Sequence, residues 1–273
     1  RYDNHGDYVR TKRRLIENLP QAGIAILNYD DECVREMASE TEASVWWFSM
    51  QPILSGLDGI YLDGDTLKGS GKFASYPDIE LSHPRLWGEH NRQNALAAFL
   101  ASDALGLNAD QDWKKVLLGY RTFDGLEHRL ELVANDNGVR YVNDSKATND
   151  SAAAVAIRAI ERPIILLAGG RGKGAGYSDI LAASVDRVRH VVAFGESRDE
   201  IADVFYEHKE NIGAGVSRRV SLEEAFREAS FLALPGDVVL LAPACSSFDQ
   251  FSSYVERGLA FKKLVKSSLS EVL

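Results

Sequence analysis

PIILLAGGRGKGAG, residues 163–176, is a short apolar run that ends in glycines. Its apolar part, Ile164–Ala168, does not alternate with polar residues, which is typical of a strand buried on both faces of a parallel sheet. Similar runs occur at His190–Phe194 and Val238–Ala242, at spacings that leave room for helices between them. The pattern therefore predicts an α/β fold in which helices cover both faces of a mainly parallel sheet.

Upstream of this run, Leu130–Val133 and Val139–Val142 flank Asn137-Gly138, a strong signal for a β-hairpin. We place a domain boundary near Gly125–Glu127, which gives domains of residues 1–125 and 126–273. The helices expected in the second domain are Asp150–Ile160, Ser178–Val188, Arg198–His208, Leu222–Leu232 and Asp249–Lys266.

The first domain has a less regular pattern. Asp30 and Asp31 suit the positive end of a helix dipole, so we expect a helix to begin there. Gly-Asp turns between residues 57 and 81 indicate small antiparallel strands. The other expected elements are helices at Asp7–Leu19, Glu89–Ala104 and Gln111–Gly119, and strands at Gly23–Leu27 and Ala43–Phe48.

The composition is ordinary for a globular protein, with 45% hydrophobic and 26% charged residues among 273. A net charge of −9 argues against a general nucleic-acid binder. No apolar run approaches the roughly 20 residues that cross a bilayer, so we expect no membrane insertion. The two cysteines, Cys33 and Cys245, form no metal-binding spacing and favour a reducing, cytoplasmic location.

In a parallel sheet, ligands bind at the carboxyl ends of the strands. One such end carries the polar stretch Asn143–Asn149, which contains a carboxylate, an ammonium group and two hydroxyls. Helix capping by Thr148, Asn149 or Asp150 is the plainer interpretation, but one cap explains only one of these residues. The composition of the stretch favours a binding site.

The glycines of residues 169–176 would let backbone N–H groups approach an anion, with Lys173 adding a charge. The loop is not a Walker phosphate loop, because Lys173 is followed by Gly174 rather than Ser or Thr. Gly170-x-Gly172-x-x-Ala175, with Glu196 downstream, fits the loose dinucleotide fingerprint. A nicotinamide-dependent oxidoreductase therefore stays open as an alternative, as does a plain flexible turn.

The strand Val238–Ala242 is followed by Ser246-Ser247, which offers hydroxyl and N–H donors to a carboxylate. Capping of the next helix by Ser247 is the plainer interpretation, and a Ser or Cys245 nucleophile is a further one. At the domain boundary, Arg129 could hold a phosphate, while His128 could carry a proton or serve as a capping side chain.

Together these motifs resemble the Mur ligases, and among them the members that add D-glutamate. The Asp-Asn-Pro-Arg signature of the diaminopimelate- or lysine-adding members is absent from this chain. The matching motifs, in order, are Trp87–Ala95, Gly125–Arg129, Asn143–Asn149, Gly169–Lys173, Ala244–Phe251 and Glu256-Arg257-Gly258.

The resemblance implies ATP- and Mg²⁺-dependent joining of D-glutamate to UDP-N-acetylmuramoyl-L-alanine through an acyl phosphate, by a cytoplasmic monomer. Residues 1–125 would be the later part of the central ATP-binding domain, and residues 126–273 the Rossmann-like amino-acid-binding domain. We expect the UDP-sugar domain and the Gly-Lys-Ser/Thr loop to be missing and the chain alone to be inactive. A catalytically silent nucleotide- or amino-acid-binding fragment, or another Mur ligase, is the alternative.

Site roles follow from the resemblance, residue by residue. Lys12 matches a lysine that is carbamylated and then binds the metal, and the family's metal-binding histidine falls on Arg1. Lys12, His128 and Lys173 are the expected catalytic residues. Asn91, Arg129 and Asp144 match contacts to adenine, phosphate and ribose. The expected D-glutamate pocket is Lys146, Thr148, Lys173, Ser247, Phe248 and Tyr254, the last standing where the family usually has Phe.

Overall fold

The computed structural model describes residues 5–83, 86–107, 113–172, 174 and 176–270. These residues form two compact units, one from residues 5–83 and 89–123, the other from residues 86–88 and 124–270. Within the described residues no helix is both long enough and apolar enough to span a membrane.

The first unit is built around a five-stranded sheet in the order β1-β2-β3-β4-β5. β1, β2 and β3 pair in parallel, and β4 and β5 continue the sheet in antiparallel pairing, as the Gly-Asp turns predicted. The elements are α1 (His5–Glu17), β1 (Ile24–Asn28), α2 (Glu32–Met37), β2 (Ser44–Ser49), β3 (Gly59–Asp63), β4 (Thr66–Ser70), β5 (Ile79–Glu80), α3 (Glu89–Ala104) and α4 (Trp113–Thr122), with short 3-10 helices at Ala38–Glu40 and Gly71–Phe73.

Only one of the two aspartates expected to begin a helix does so. Asp31 is the N-cap of α2, and its Oδ1 accepts the N–H of Val34 at 3.1 Å. Asp30 instead accepts the hydroxyl of Ser49 at 2.6 Å and the N–H of Met50 at 2.8 Å, so it ties the end of β2 to the turn after β1.

The second unit contains a six-stranded sheet in the order β10-β9-β8-β11-β7-β6. Its strands pair in parallel except for β6, which pairs antiparallel with β7 across the predicted hairpin. The elements are β6 (Glu131–Asp136), β7 (Val139–Asn143), α5 (Asp150–Arg158), β8 (Ile164–Gly169), α6 (Ser178–Ser184), β9 (Val188–Phe194), α7 (Arg198–Glu207), α8 (Lys209–Ile212), β10 (Gly215–Arg219), α9 (Leu222–Leu232), β11 (Val238–Ala244) and α10 (Tyr254–Ser270).

Alternate residues of β8 enter two different cores, one on each face of the sheet. Leu166 packs in the core that contains Ile157 and Ile180 of α5 and α6. Leu167 packs in the core that contains Phe226 and Phe261 of α9 and α10. Every residue of β8 is buried. The predicted α/β architecture, with helices on both faces of a mainly parallel sheet, is therefore confirmed.

Two differences from the sequence expectations bear on the site. β10 was not predicted, because Gly215–Arg219 is a half-exposed edge strand without an apolar run. The last helix begins at Tyr254 rather than at Asp249. Ser253 Oγ accepts the N–H of Glu256 at 3.2 Å, so the N-terminal cap lies there and not at Ser247.

The order of the strands creates a switch point. From β8 the chain builds outward through β9 and β10, and then returns to place β11 on the other side of β8. This order places the switch point between β8 and β11, and ligands of open α/β sheets bind at the carboxyl ends of the strands beside such a point.

Candidate functional site

The loops that follow β7, β8 and β11 hydrogen-bond to one another at the carboxyl edge of the second sheet. The N–H of Arg171 donates to the carbonyl of Ser246 at 2.9 Å, and the reverse bond is 3.1 Å long. The N–H of Ala244 donates to the carbonyl of Ala147 at 3.0 Å. The three polar stretches singled out in the sequence thus form one continuous edge of the second unit.

Most of the expected site residues belong to this edge or to the turn and helix beside it. Two do not, because Lys12 lies exposed on α1 and Asn91 lies half-buried on α3, both in the first unit. Lys173 lies outside the described residues. The residues in the second unit are His128, Arg129, Asp144, Lys146, Thr148, Ser247, Phe248 and Tyr254.

Asp144 is a buried carboxyl group immediately after β7, with 9% of the residue exposed. Burial raises its pKa to about 7, although the charge of Arg129 and backbone N–H bonds from Leu130 and Ala147 oppose the shift. A buried carboxylate with few donors of its own is suited to accept the hydroxyl groups of a ligand.

The turn that presents Arg129 has an unusual backbone. His128 and Leu130 have φ angles of 64° and 44°, a left-handed region in which asparagine, aspartate and histidine are enriched but which leucine rarely adopts. Such conformations persist only where the surrounding structure holds them, and they cluster at functional sites. Here they leave the Arg129 side chain exposed while its charge acts on the buried Asp144.

His128 is buried, at 3% exposure, and its Nδ1 lies 2.9 Å from Nδ2 of Asn143. The orientation of the Asn143 amide follows from its other bonds, since its Oδ1 accepts the N–H of Ser145 and its Nδ2 donates to Oε2 of Glu131 at 3.0 Å. Nδ1 of His128 is therefore an acceptor. When the ring is neutral, its hydrogen lies on Nε2, which is buried and has no hydrogen-bond partner among the described residues.

An ion pair behind this histidine was missed by sequence reasoning. Lys262 of α10 bonds to Glu131, whose other oxygen accepts from Asn143 and from the backbone N–H of His128 at 3.0 Å. Lys262 also bonds to Glu127 at 2.7 Å. Because Glu131 and Lys262 are 131 positions apart, no local pattern indicates the pair.

Lys146 and Tyr254, two residues expected to bind D-glutamate, contact each other. The ammonium nitrogen lies 4.1 Å from the centre of the tyrosine ring, and both residues are half-buried. The hydroxyl of Ser145 donates to the carbonyl of Tyr254 at 2.8 Å, which holds the start of α10 against the loop after β7. The face of the ring attracts the cation and so holds the Lys146 side chain in place.

The caps of the nearby helices are made by residues other than Thr148. Asn149 Oδ1 accepts the N–H of Ala152 at 2.8 Å and caps α5. Asp150 accepts the N–H groups of Asp179 and Ile180 and so caps α6. The capping interpretation, which concerned the helix that follows this stretch, is therefore correct for Asn149 and does not account for Thr148 or Asp150.

The loop after β11 places two expected pocket residues in different surroundings. Ser247 is buried, and its carbonyl accepts the N–H groups of Gln250 and Phe251. The neighbouring Phe248 is 61% exposed, which is unusual for a phenylalanine beside a buried strand end.

The glycine loop after β8 directs its N–H groups into the protein. Gly170 donates to the carbonyl of Phe194, Arg171 to the carbonyl of Ser246 and Gly172 to Oγ of Ser197. The backbone cradle for an anion that we expected here is thus not formed by residues 170–172. Glu196, the acidic residue of the dinucleotide fingerprint, is held by two 2.9 Å bonds from Arg171. The nicotinamide alternative has no support from this geometry.

The described part of the chain contains no group of three His, Cys, Asp or Glu side chains that could hold a metal ion. Lys12 lies 5.5 Å from the ring centre of Tyr8. The described residues by themselves therefore do not fit a magnesium site.

Cys245 is buried, which raises the pKa of its thiol and disfavours a nucleophilic role.

Comparisons of sequence match both units to one family. Residues 1–102 match the Mur ligase middle domain, and residues 128–245 match the Mur ligase glutamate ligase domain. The chain is 38% identical over 261 residues to the UDP-N-acetylmuramoylalanine–D-glutamate ligase of Alkaliphilus metalliredigens, covering 96% of the chain and 55% of the relative. It is also 38% identical to the enzyme of that name from Desulfitobacterium hafniense, with 98% and 58% covered. The chain thus spans a little over half the length of these curated relatives.

Solved structures support the same fold. A UDP-N-acetylmuramoyl-L-alanyl-D-glutamate–2,6-diaminopimelate ligase matches with a TM-score of 0.60 at 16% identity, covering 98% of this chain and 58% of that one. The murein peptide ligase of Psychrobacter arcticus matches with a TM-score of 0.57 at 17% identity, covering 96% and 56%. With two domain models matched in order along the sequence and the same fold in the solved structures, the chain belongs to the Mur ligase family.

Proposed function

We propose that the protein containing this chain joins D-glutamate to UDP-N-acetylmuramoyl-L-alanine at the expense of ATP, a step of peptidoglycan precursor synthesis. The observation that carries the proposal is the loop after β7, on which Asp144, close to Arg129, and Lys146, close to Tyr254, lie two positions apart. The names of the relatives support the choice of D-glutamate as the amino acid.

The nucleotide side of the site consists of Arg129 and Asp144 in the second unit. The exposed guanidinium of Arg129 suits a phosphate, and the buried carboxyl group of Asp144 suits the hydroxyls of a ribose. Asn91 on α3 is proposed to contact the adenine. Burial favours the protonated form of Asp144. Hydrogen bonds from ribose hydroxyls would favour the ionised form, so binding of the ribose also favours loss of this proton.

The amino-acid side consists of Lys146, Thr148, Ser247, Phe248 and Tyr254, with Lys173 as a further proposed member. Lys146 is proposed to supply a charge for one carboxylate of D-glutamate, and the hydroxyl of Ser247 is proposed to bond to the other. Phe248, whose ring is exposed, is proposed to contact the bound amino acid. Neighbouring cations would also lower the repulsion between the anionic substrates.

The proposed chemistry has two steps. The γ-phosphoryl group of ATP moves to the carboxylate of UDP-N-acetylmuramoyl-L-alanine, giving an acyl phosphate and ADP. The amine of D-glutamate then attacks the acyl carbon, phosphate leaves, and the nitrogen loses a proton as the amide forms. Catalysis comes mainly from positioning and from neutralising phosphate charge. Magnesium, together with a carbamylated Lys12 as its ligand, stays a prediction.

The role proposed for His128 is to position Arg129 rather than to exchange protons with a substrate. Its Nδ1 is occupied by Asn143, and the residue is 3% exposed. The ring instead holds the strained turn on which Arg129 lies, through the network that includes Glu131. ATP and the UDP-sugar are cytoplasmic metabolites, so we propose that the reaction takes place in the cytoplasm, in a monomer.

Phosphate release by the whole protein tests the function. With ATP, magnesium, UDP-N-acetylmuramoyl-L-alanine and D-glutamate we expect release of phosphate, and none when D-glutamate is omitted. Phosphate release with meso-diaminopimelate but not with D-glutamate would overturn the assignment of the amino acid. The 273-residue chain serves as the second sample, and we expect it to be inactive; turnover by that chain alone would show that it carries the complete machinery.

A further inference from the structure

Arg257 lies one turn into α10 and is completely buried beneath the three site loops. All five of its N–H donors have acceptors. They bond to Ser145 Oγ from Nε (3.0 Å), to the Ser145 carbonyl from Nη2 (2.9 Å), to the Cys245 carbonyl from Nη1 and Nη2 (3.1 Å each) and to the Gly169 carbonyl from Nη1 (3.4 Å).

The three acceptor residues lie at the carboxyl ends of three different strands. Ser145 follows β7 and stands between Asp144 and Lys146. Gly169 is the last residue of β8, and Cys245 follows β11, two positions before Ser247. Ser145 also donates its hydroxyl to the carbonyl of Tyr254. One side chain is therefore bonded to every segment that bears the proposed D-glutamate pocket.

The contacts of Arg257 are with neutral groups. Within the described part of the chain, its hydrogen bonds go to carbonyls and one hydroxyl, and Asp249 acts on it only at a distance. Burial lowers its pKa to about 10, so the guanidinium remains charged at neutral pH. A buried cation is a costly way to fill space, since well-packed apolar side chains often stabilise at least as well. Its geometry, a rigid fork with five donors, is what an apolar side chain cannot supply.

We propose that Arg257 is a positioning residue of the amino-acid site, which sets the spacing of the loops after β7, β8 and β11 and thereby the distance between Lys146 and Ser247. The expected effect on catalysis rests on the proposed function. The hydrogen bonds of Arg257 to the three loops, which we call the tether, do not depend on that function. Asp144 should depend less on Arg257, because its own N–H is held by a sheet bond to the carbonyl of Leu241 at 2.8 Å.

The chain offers a matched control at the opposite edge of the same sheet. Arg189 bonds to the buried Asp237 and to the carbonyl of Leu232, next to the first residues of β9 and β11. Arg189→Gln therefore removes an arginine that also joins two strands of this sheet, but through an ion pair and at the edge away from the site loops. Arg257→Gln removes both the positive charge and the guanidinium with its five donors, whereas Arg257→Lys keeps only the positive charge.

Amide hydrogen exchange on the 273-residue chain tests the tether. In Arg257→Gln we expect exchange at Ala147, Arg171 and Ser246 to accelerate about tenfold or more, with no such change at Ile164 or Val238 near the other edge. Arg189→Gln should give the reverse pattern. Equal acceleration at both edges in Arg257→Gln would mean a general loss of stability and would overturn the inference.

Steady-state kinetics on the whole protein test the consequence for the site. We expect Arg257→Gln and Arg257→Lys to raise the KM for D-glutamate about tenfold while the KM for ATP changes less than about threefold. Arg189→Gln should leave both KM values unchanged. An unchanged KM for D-glutamate in Arg257→Gln, in an enzyme that uses D-glutamate, would overturn the positioning role. If the unsubstituted protein does not use D-glutamate, the proposed function fails, and the exchange data alone decide the tether.

Discussion

The ammonium nitrogen of Lys146 lies 4.1 Å from the centre of the Tyr254 ring. The two residues come from distant parts of the chain and meet because Ser145 bonds to the backbone of Tyr254. The ring face offers the cation negative potential without a competing carboxylate. The Lys146 side chain is thus held against the ring.

The ring, and not the hydroxyl, of Tyr254 should matter for this pair. Tyr254→Leu removes the cation–π contact, which is worth about 0.5–2 kcal/mol, so we expect the KM for D-glutamate to rise about two- to thirtyfold. Tyr254→Phe is the control and should stay within about twofold of the unsubstituted protein, because the ring is kept. A large effect of Tyr254→Phe would instead assign the role to the hydroxyl.

Asp144 should make stability depend on pH in an uncommon direction for an aspartate. Burial raises its pKa from 3.8 to about 7, so the folded chain holds this proton more tightly than the unfolded chain. The stabilisation is therefore complete below about pH 4 and is lost as pH rises to about 7. Relative to Asp144→Asn, the unfolding free energy of the unsubstituted chain should fall by about 2–4 kcal/mol across this range.

Urea unfolding at several pH values between 4 and 8 measures this difference. Asp186→Asn is the matched control, because Asp186 is exposed and its backbone conformation, φ 59°, suits asparagine. Its curve should run parallel to that of the unsubstituted chain. Parallel curves for Asp144→Asn as well would contradict a raised pKa at Asp144.

His128 and His208 should carry their ring hydrogens on opposite nitrogens when neutral. Nδ1 of His128 faces the amide donor of Asn143, so its hydrogen belongs on Nε2. Nδ1 of His208 lies 2.8 Å from the carbonyl oxygen of Val204, so its hydrogen belongs on Nδ1. Nitrogen-15 NMR of the imidazoles distinguishes the two forms. An Nδ1-protonated His128 would require a different orientation of the Asn143 amide.

Gly170 should be intolerant of a side chain because of the protein's own backbone. Its φ is 128°, and an added Cβ would lie 2.2 Å from the carbonyl oxygen of Ser246. We expect Gly170→Ala to lower the unfolding free energy by about 2–4 kcal/mol. Gly174→Ala is the control, since Gly174 also has a positive φ but no atom within 4 Å of an added Cβ. Equal losses in the two variants would show that strain, and not the contact with Ser246, sets the cost.

The apolar runs of the sequence determined the architecture of the second unit. Val238–Ala242 and Ile164–Ala168 could be recognised as buried strands because a strand that is covered on both faces of the sheet has an unbroken apolar sequence. The same reasoning placed polar stretches at strand ends, where a parallel sheet binds ligands. The order of motifs along the chain also indicated the family, since each motif is local and its spacing is readable from the sequence alone.

Only the tertiary structure decided which polar groups are available at that edge. It assigned the cap of α5 to Asn149, directed the N–H groups of residues 170–172 into the protein, and placed Arg257 beneath three loops. Hydrogen-bond partners such as Arg257 and Ser145, 112 positions apart, are chosen by the packing of helices on a sheet. A sequence pattern does not distinguish between polar side chains of the same type. In the fold these side chains differ in burial and in their distances to hydrogen-bond partners, and these differences determine what each side chain can bind.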